Sequence, residues 1–274
     1  MNTLEKLNLQ YLCQNVQVIA RLAAKEILNI YNSDYTIENK DDNTPLTSAD
    51  LAADKIICRE LKQLTPEIPI LTEESECVAY EIRKTWQRYW LVDPLDGTRE
   101  FIKRNGEFTV NIALIENHRS VLGVINAPVL QLEYYAWEKG GAYKKQQKQE
   151  AQQIHCRKAD PNNIIIAGSR SHASDKLKDY IQSIDNNIDD SVDVLSVGSS
   201  LKSCMVAEGA VDLYPRLGLT SEWDTAAAQC IVEEAGGFMI QTSESPLLYN
   251  TKDSLLNPEF LVYGDKDFNW HEYL

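Results

Sequence analysis

Two carboxylates three residues apart, Asp93 and Asp96, flank a proline in Trp90-Leu-Val-Asp-Pro-Leu-Asp-Gly-Thr98. The apolar run Tyr89 to Val92 predicts a short strand that Asp93-Pro94 ends. Gly97-Thr98 then predicts a tight turn with freed backbone N–H groups. A turn that sets carboxylates beside exposed N–H groups can hold a divalent cation and a phosphate together. The same spacing also suits a plain solvated turn, because Asp-Pro and Asp-Gly are common turn formers. A calcium EF-hand loop does not fit. With Gly97 in its sixth place, Val92 and Pro94 occupy ligand positions, and Lys103 stands where a bidentate Glu is needed.

More carboxylates fall at element ends. Ile68-Pro-Ile-Leu71 predicts a strand that stops at Thr72-Glu73-Glu74. If it lies beside the Trp90 strand and both stop at one edge, Glu73 comes within reach of Asp93 and Asp96. Asp50 and Asp224 each sit in the first turn of a predicted helix, where the dipole alone already favours a carboxylate.

Around these residues the chain predicts two units. In the first, residues 1–153, Leu4 to Tyr31 carries a helical apolar stripe, and Thr47 or Ser48 caps a second helix that runs to about Leu64 before Pro66. Phe108–Leu114, Ser120–Asn126, Leu132–Trp137 and Ala142–Lys144 alternate with turn signals and predict an antiparallel meander. The polar stretch Lys144 to Gln153 reads as an exposed connection. In residues 154–274 the rhythm changes to strands at Ile164–Ala167, Val192–Val197, Val211–Leu217, Phe238–Gln241 and Phe260–Tyr263. Helices opening at Ser174, Gly198 and Ser221 separate them, as in an α/β layer.

The 274 residues are 43% hydrophobic and 25% charged, an ordinary globular composition. A formal net charge of −14 argues against a general nucleic-acid binder, which needs a basic face. An acidic protein acting on a polyanion must therefore gather its cations, or metal, locally. The six cysteines are scattered without a C-x-x-C pair, so neither a zinc site nor a disulfide framework is expected, and a reducing, cytoplasmic location is. No stretch reads as a transmembrane helix or a secretory leader.

Glu73-Glu74, the Trp90–Thr98 stretch and Trp223-Asp-Thr-Ala-Ala227, in that order, resemble the inositol monophosphatase superfamily of Mg²⁺-dependent, lithium-sensitive phosphatases. Phe101–Phe108, Gly168-Ser-Arg-Ser-His172 and Gly198-Ser-Ser-Leu-Lys202 narrow the likeness to the CysQ type of bacterial 3'(2'),5'-bisphosphate nucleotidase. Ala228 departs from the family's usual Gly. The resemblance implies an α+β / α/β five-layer αβαβα sandwich with the site between the two units. It implies two or three Mg²⁺ ions held by Glu73, Asp93, Asp96, Asp224 and the carbonyl of Leu95, with Asp93 bridging. It casts Asp50 and Thr98, with Glu73, as the groups that activate water. Gly97 and Thr98 would hold the scissile phosphate, and His172, Ser199, Lys202 and Arg216 the rest of a nucleoside bisphosphate.

The activity implied is hydrolysis of the 3′-phosphate of 3′-phosphoadenosine 5′-phosphate to AMP, and of the related 5′-phosphosulfate, in sulfur assimilation. Inositol monophosphatase activity shares every expected metal ligand, and a catalytically silent metal or nucleotide sensor is the alternative of another class. The family also allows a peripheral position at the inner face of the bacterial membrane.

Overall fold

A computed structural model of the chain describes residues 7–33, 37–39, 45–75, 78–169, 175–188 and 192–274. Helix α1 (Leu9–Tyr31) buries Leu12, Val16, Ile19, Ala23 and Ile27, a stripe spaced by three and four residues. Asn8 caps it by accepting the Tyr11 N–H at 3.0 Å. A short hairpin, β1 (Ile37–Asn39) and β2 (Pro45–Thr47), leads into α2 (Ser48–Leu64). Thr47 and Asp50 form a reciprocal capping box there.

A seven-stranded sheet follows in the order β3 (Ile70–Thr72), β4 (Arg88–Asp96), β5 (Thr109–Glu116), β6 (Arg119–Ala127), β7 (Leu132–Trp137), β8 (Gly141–Gln146) and β9 (Gln152–Ile154). Strand β3 runs parallel to β4, and the remainder is an antiparallel meander. Short helices α3 (Tyr80–Arg83) and α4 (Thr98–Ile102) bracket β4.

Two expectations need correction here. Strand β4 does not end at Asp93-Pro94 but continues to Asp96 through a bulge. Asp93 pairs with Asn111 and Asp96 with Thr109, so Pro94 and Leu95 together oppose Val110. Within a bulge the missing proline N–H costs no ladder bond. Gln152 and Gln153, read as an exposed connection, begin the edge strand β9. Its outward polar residues hide the strand pattern.

The second sheet has the order β11-β10-β12-β14-β13: β10 (Ile165–Ser169), β11 (Asp193–Val197), β12 (Leu213–Arg216), β13 (Phe238–Gln241) and β14 (Phe260–Tyr263). The first three are parallel, and β14 is antiparallel to both its neighbours. Helices α5 (Asp175–Asp185), α6 (Leu201–Ala207) and α7 (Glu222–Glu234) join them.

Three cores define five layers. Trp90, Val92, Ile112, Leu114 and Val124 on one face of the seven-stranded sheet meet α1 and α2. Leu91, Ala113, Ile115 and Ile125 on its other face meet α6 and α7, which also cover the second sheet. The outer face of that sheet packs on α5 and the terminal 3₁₀ turn Trp270–Tyr273. With both faces covered, β5 is buried along all but its last residue and reads as a near-continuous apolar run. The layers run α1/α2, sheet, α6/α7, sheet, α5. Ala228 is buried within α7 at the middle layer.

Candidate active site

Parallel pairing of β3 with β4 brings their ends to one edge. The Glu73 N–H donates to the Val92 carbonyl at 3.1 Å, extending the ladder one residue past β3. Asp93, at the bulge, accepts the Leu95 N–H at 3.0 Å. Far along the chain, Asp224 in the first turn of α7 accepts the Ser221 N–H at 2.9 Å. Carboxylate oxygens of Glu73, Asp93 and Asp224 all lie within 4.8 Å of one another.

Such crowding shows in their acidities. Asp93 is raised well above the usual carboxylate range, first by burial and then by the charges of Glu73, Asp96 and Asp224. Burial, then Asp96, pushes Asp224 up to about 8. Groups that resist ionisation together are relieved by a cation. Three clustered carboxylates, in a cavity that Leu95 and Asp96 also line, form an all-oxygen donor set that fits hard Mg²⁺.

Asp96 lines the same cavity but is engaged differently. Its Oδ2 accepts the Ser200 N–H at 2.6 Å and lies 2.7 Å from the Ser200 hydroxyl. That hydroxyl is 2.9 Å from the Asp224 carbonyl and accepts from Asn111 Nδ2 at 2.9 Å. Ser200 thus ties Asp96 on one sheet to Asp224 beside the other.

Gly97 turns the chain from β4 into α4 at φ +95, a left-handed value that an L side chain strains to adopt. Thr98 follows, its hydroxyl 3.2 Å from Asp50 Oδ1 and 3.4 Å from the Leu95 carbonyl. The other oxygen of Asp50 accepts from the Thr47 N–H at 2.8 Å and the Thr47 hydroxyl at 2.5 Å. Burial raises the Asp50 pKa, and the Thr47 bonds oppose the shift. Asp50 itself does not line the cavity; it communicates with it through Thr98.

The cavity, of about 270 Å³, is lined by Glu73, Asp93, Leu95, Asp96, Gly97, Thr98, Ser199, Lys202, Arg216 and Asp224 among others. Lys202 is buried beneath it, donating to the Ser199 carbonyl at 2.6 Å and lying 5.2 Å from the centre of the Tyr214 ring. Burial holds its pKa down to about 8 against the opposing pull of Asp96. Arg216 donates to the Leu219 carbonyl at 2.6 Å, and its buried Nε has no acceptor among the described residues. Ser199 sits at φ +48 with its buried hydroxyl likewise unpartnered. Two orphaned polar groups on residues lining one cavity suit a ligand that would complete them. His172 lies outside the described residues.

Three participants were not singled out from sequence. Thr47 was read only as a cap, although Thr-x-x-Asp is the signature of the box that holds Asp50. Asn111, a polar residue in the apolar run of β5, is the kind of local inconsistency that marks a site. Ser200 carries no signal beyond its neighbour Ser199.

A model of the inositol monophosphatase family matches residues 8–267. The chain belongs to that family. Among its relatives, the 3'(2'),5'-bisphosphate nucleotidase CysQ of Salmonella typhimurium (strain LT2) is 48% identical over 256 residues, covering 93% of this chain and 98% of that protein. The protein of the same name from Haemophilus influenzae is 38% identical over 262 residues, covering 95% of this chain and 96% of its own. The crystal structure of CysQ from Bacteroides thetaiotaomicron, a bacterial member of the inositol monophosphatase family, superposes with a TM-score of 0.83 at 39% identity, covering 94% and 99% of the two chains. Membership in the inositol monophosphatase family accounts for the five layers and for the motif carboxylates gathered at their centre.

Among the described residues no helix is long and apolar enough to cross a membrane. The described cysteines, Cys13, Cys58, Cys156, Cys204 and Cys230, are all free.

Proposed function

We propose that this chain is a Mg²⁺-dependent phosphatase that hydrolyses the 3′-phosphate of 3′-phosphoadenosine 5′-phosphate, giving AMP and phosphate. The observation that carries the reading is one cavity with two chemistries. Clustered carboxylates and the cations Lys202 and Arg216 line the same cavity, where Lys202 feels the charge of Asp96 and Asp224 that of Arg216. A nucleoside bisphosphate needs both, a metal-assisted site for the phosphate removed and protein cations for the one retained. The name shared by the relatives supports the same substrate.

Glu73, Asp93, Asp96, Asp224 and the Leu95 carbonyl would hold the metal. Bound Mg²⁺ neutralises phosphate oxygens and acidifies water. The chain's own groups do the rest. The Thr98 hydroxyl accepts a proton from the attacking water and relays its own to Asp50 Oδ1, at 3.2 Å. A carboxylate whose pKa burial has raised is a better proton acceptor than an exposed one. The bond from phosphorus to O3′ breaks as the new P–O bond forms; the ribose oxygen leaves as a hydroxyl by taking a proton from solvent water, and Asp50 afterwards returns its proton to solvent. Gly97 and Thr98 turn backbone N–H groups towards the phosphate, and Lys202, Arg216 and the orphaned Ser199 hydroxyl bind the retained 5′-phosphate. The 5′-phosphosulfate relative carries the same two anionic ends and is a second substrate under this reading.

The test compares 3′-phosphoadenosine 5′-phosphate with inositol 1-phosphate in wild type, Lys202→Ala and Arg216→Ala. A charge-assisted bond to phosphate is worth about 1.5–3 kcal/mol, so kcat/KM on the bisphosphate should fall about 10- to 100-fold. The monophosphate should be spared. Equal losses on both substrates would assign these cations to the shared site instead. No loss on either would favour the inositol phosphate reading.

A further inference from the structure

A second cavity, of about 430 Å³, opens on the opposite side of the seven-stranded sheet, where α1 crosses the ends of β6, β7 and β8. It shares no lining residue with the acidic cavity. Four cations surround it, Arg21 and Lys25 from α1 with Lys145 and Lys148 from β8 and the turn after it. The one carboxylate in its wall is Glu133, which is buried. In a chain of net charge −14 this is a pronounced local reversal of sign.

Only part of this charge is offset in place, by Glu133, which pairs with Arg21 and also feels Lys145. Lys25, Lys145 and Lys148 have no salt-bridge partner among the described residues. Arg21 is paired, but in a way that prepares it. Its Nη1 donates to both Glu133 oxygens at 2.8 and 3.0 Å, and Asn126 supports the same carboxylate. Side-chain exposures of 45% and 6% place the guanidinium at the opening and its anchor beneath it. A buried carboxylate that fixes an arginine while leaving its other N–H groups exposed is how a protein pre-sets a fork for an oxyanion. Ala24, Leu28, Pro128 and Leu132 add an apolar part to the wall, beside the amides of Asn126, Gln131 and Gln147.

We propose that this cavity is a binding site for a small organic phosphate, one that sets its dianion among Arg21, Lys25, Lys145 and Lys148 and its carbon body against the apolar wall. It is separate from the catalytic cavity. Asp93 and Asp96 lie on β4, three strands from β7, roughly 14 Å across the sheet at the usual strand spacing. Unlike the catalytic cavity it needs no metal, because its own side chains supply the positive charge.

The probe is phenylphosphonate, which has a phosphate-like dianion and an apolar ring and cannot be hydrolysed. It is titrated into the Mg²⁺-loaded protein while backbone amide shifts are followed. Two saturable sets of shifts are expected, one at Gly97, Thr98 and Ser199 and a second at Ala24, Leu28, Gln131 and Gln147. Arg21→Ala would strand buried Glu133, so the decisive variant is Lys25→Glu/Lys148→Glu, which leaves the Arg21–Glu133 pair intact. It should weaken the second set about tenfold or more and leave the first unchanged. Inorganic phosphate should saturate the second set several-fold more weakly than the phosphonate, since it cannot use the apolar wall. No saturable shift at Ala24 and Leu28, a second set indifferent to the double variant, or inorganic phosphate binding as tightly as the phosphonate would each overturn the proposal.

Discussion

At the scale of single residues, the account rests on carboxylates that are costly to keep together. Asp93→Asn removes one of the three charges within 4.8 Å. Phosphate release with Mg²⁺ should then fall to near background, and turnover close to wild type would remove Asp93 from the site. Thr98→Ala should retain metal and substrate binding but lose about 10²–10⁴-fold in kcat. Adding Asp50→Ala should cost little more, since the two act as one relay. A loss of only a few-fold would reduce Thr98 to the residue that opens α4. Ser200→Ala deletes a hydroxyl that orients Asp96, and second-sphere partners of this kind change metal affinity by about 10–100-fold. Calorimetric Mg²⁺ binding by the substrate-free variant should weaken accordingly, and Ser200→Thr should restore it. These residues differ in how far sequence betrayed them. The acidic motifs announce themselves by type and spacing. Ser200 and Asn111 matter only through contacts between segments about ninety residues apart, which no local pattern encodes.

At the scale of elements, the sheets deliver the site. Strand β4 was legible as an apolar run, but its passage through Pro94 was not, because a proline in a strand reads as a stop until the bulge is seen. Strand β9 escaped notice because an edge strand needs apolar residues on only one side. Helices α1 and α2 were legible because a 3.6-residue stripe and a capping box are local signals. The seat of α7 depends on a close approach that no helix signal reveals. A Cβ on Gly123 of β6 would fall 2.2 Å from the carbonyl oxygen of Ala227. Gly123→Ala must therefore push α7, and Asp224 at its start, off the sheet. Overpacking of this sort costs about 1–3 kcal/mol, so urea denaturation should register that loss together with a raised Mg²⁺ requirement. Unchanged stability and metal affinity would show that the sheet and helix yield without moving the site.

At the scale of the whole molecule, carboxylates carried by the seven-stranded sheet and α7 meet across their own negative charge. Asp224 has a pKa near 8 in the folded, metal-free protein against 3.8 as its ordinary value, and Asp93 is shifted the same way. Over that window the folded state binds more protons than the unfolded one, so this cluster's contribution to stability falls as pH rises from about 4 to about 8. Mg²⁺ replaces those protons, so its stabilisation should grow with pH over the same interval. At 100 times its Kd the metal adds about 2.7 kcal/mol, and EDTA should remove it. Melting curves at pH 5 and pH 8, each with Mg²⁺ and with EDTA, check this. A metal increment that is equal or larger at pH 5 would contradict it. The layered architecture was legible only through resemblance, since strand order between distant segments is a matter of tertiary pairing. The central claim is that carboxylates and cations in one cavity serve a nucleoside bisphosphate, and phosphate release from 3′-phosphoadenosine 5′-phosphate with and without Mg²⁺ tests it most directly. Rapid, Mg²⁺-dependent release of one phosphate per molecule, leaving AMP, is expected. Metal-independent release, or none from this substrate while inositol 1-phosphate is hydrolysed, would contradict the account.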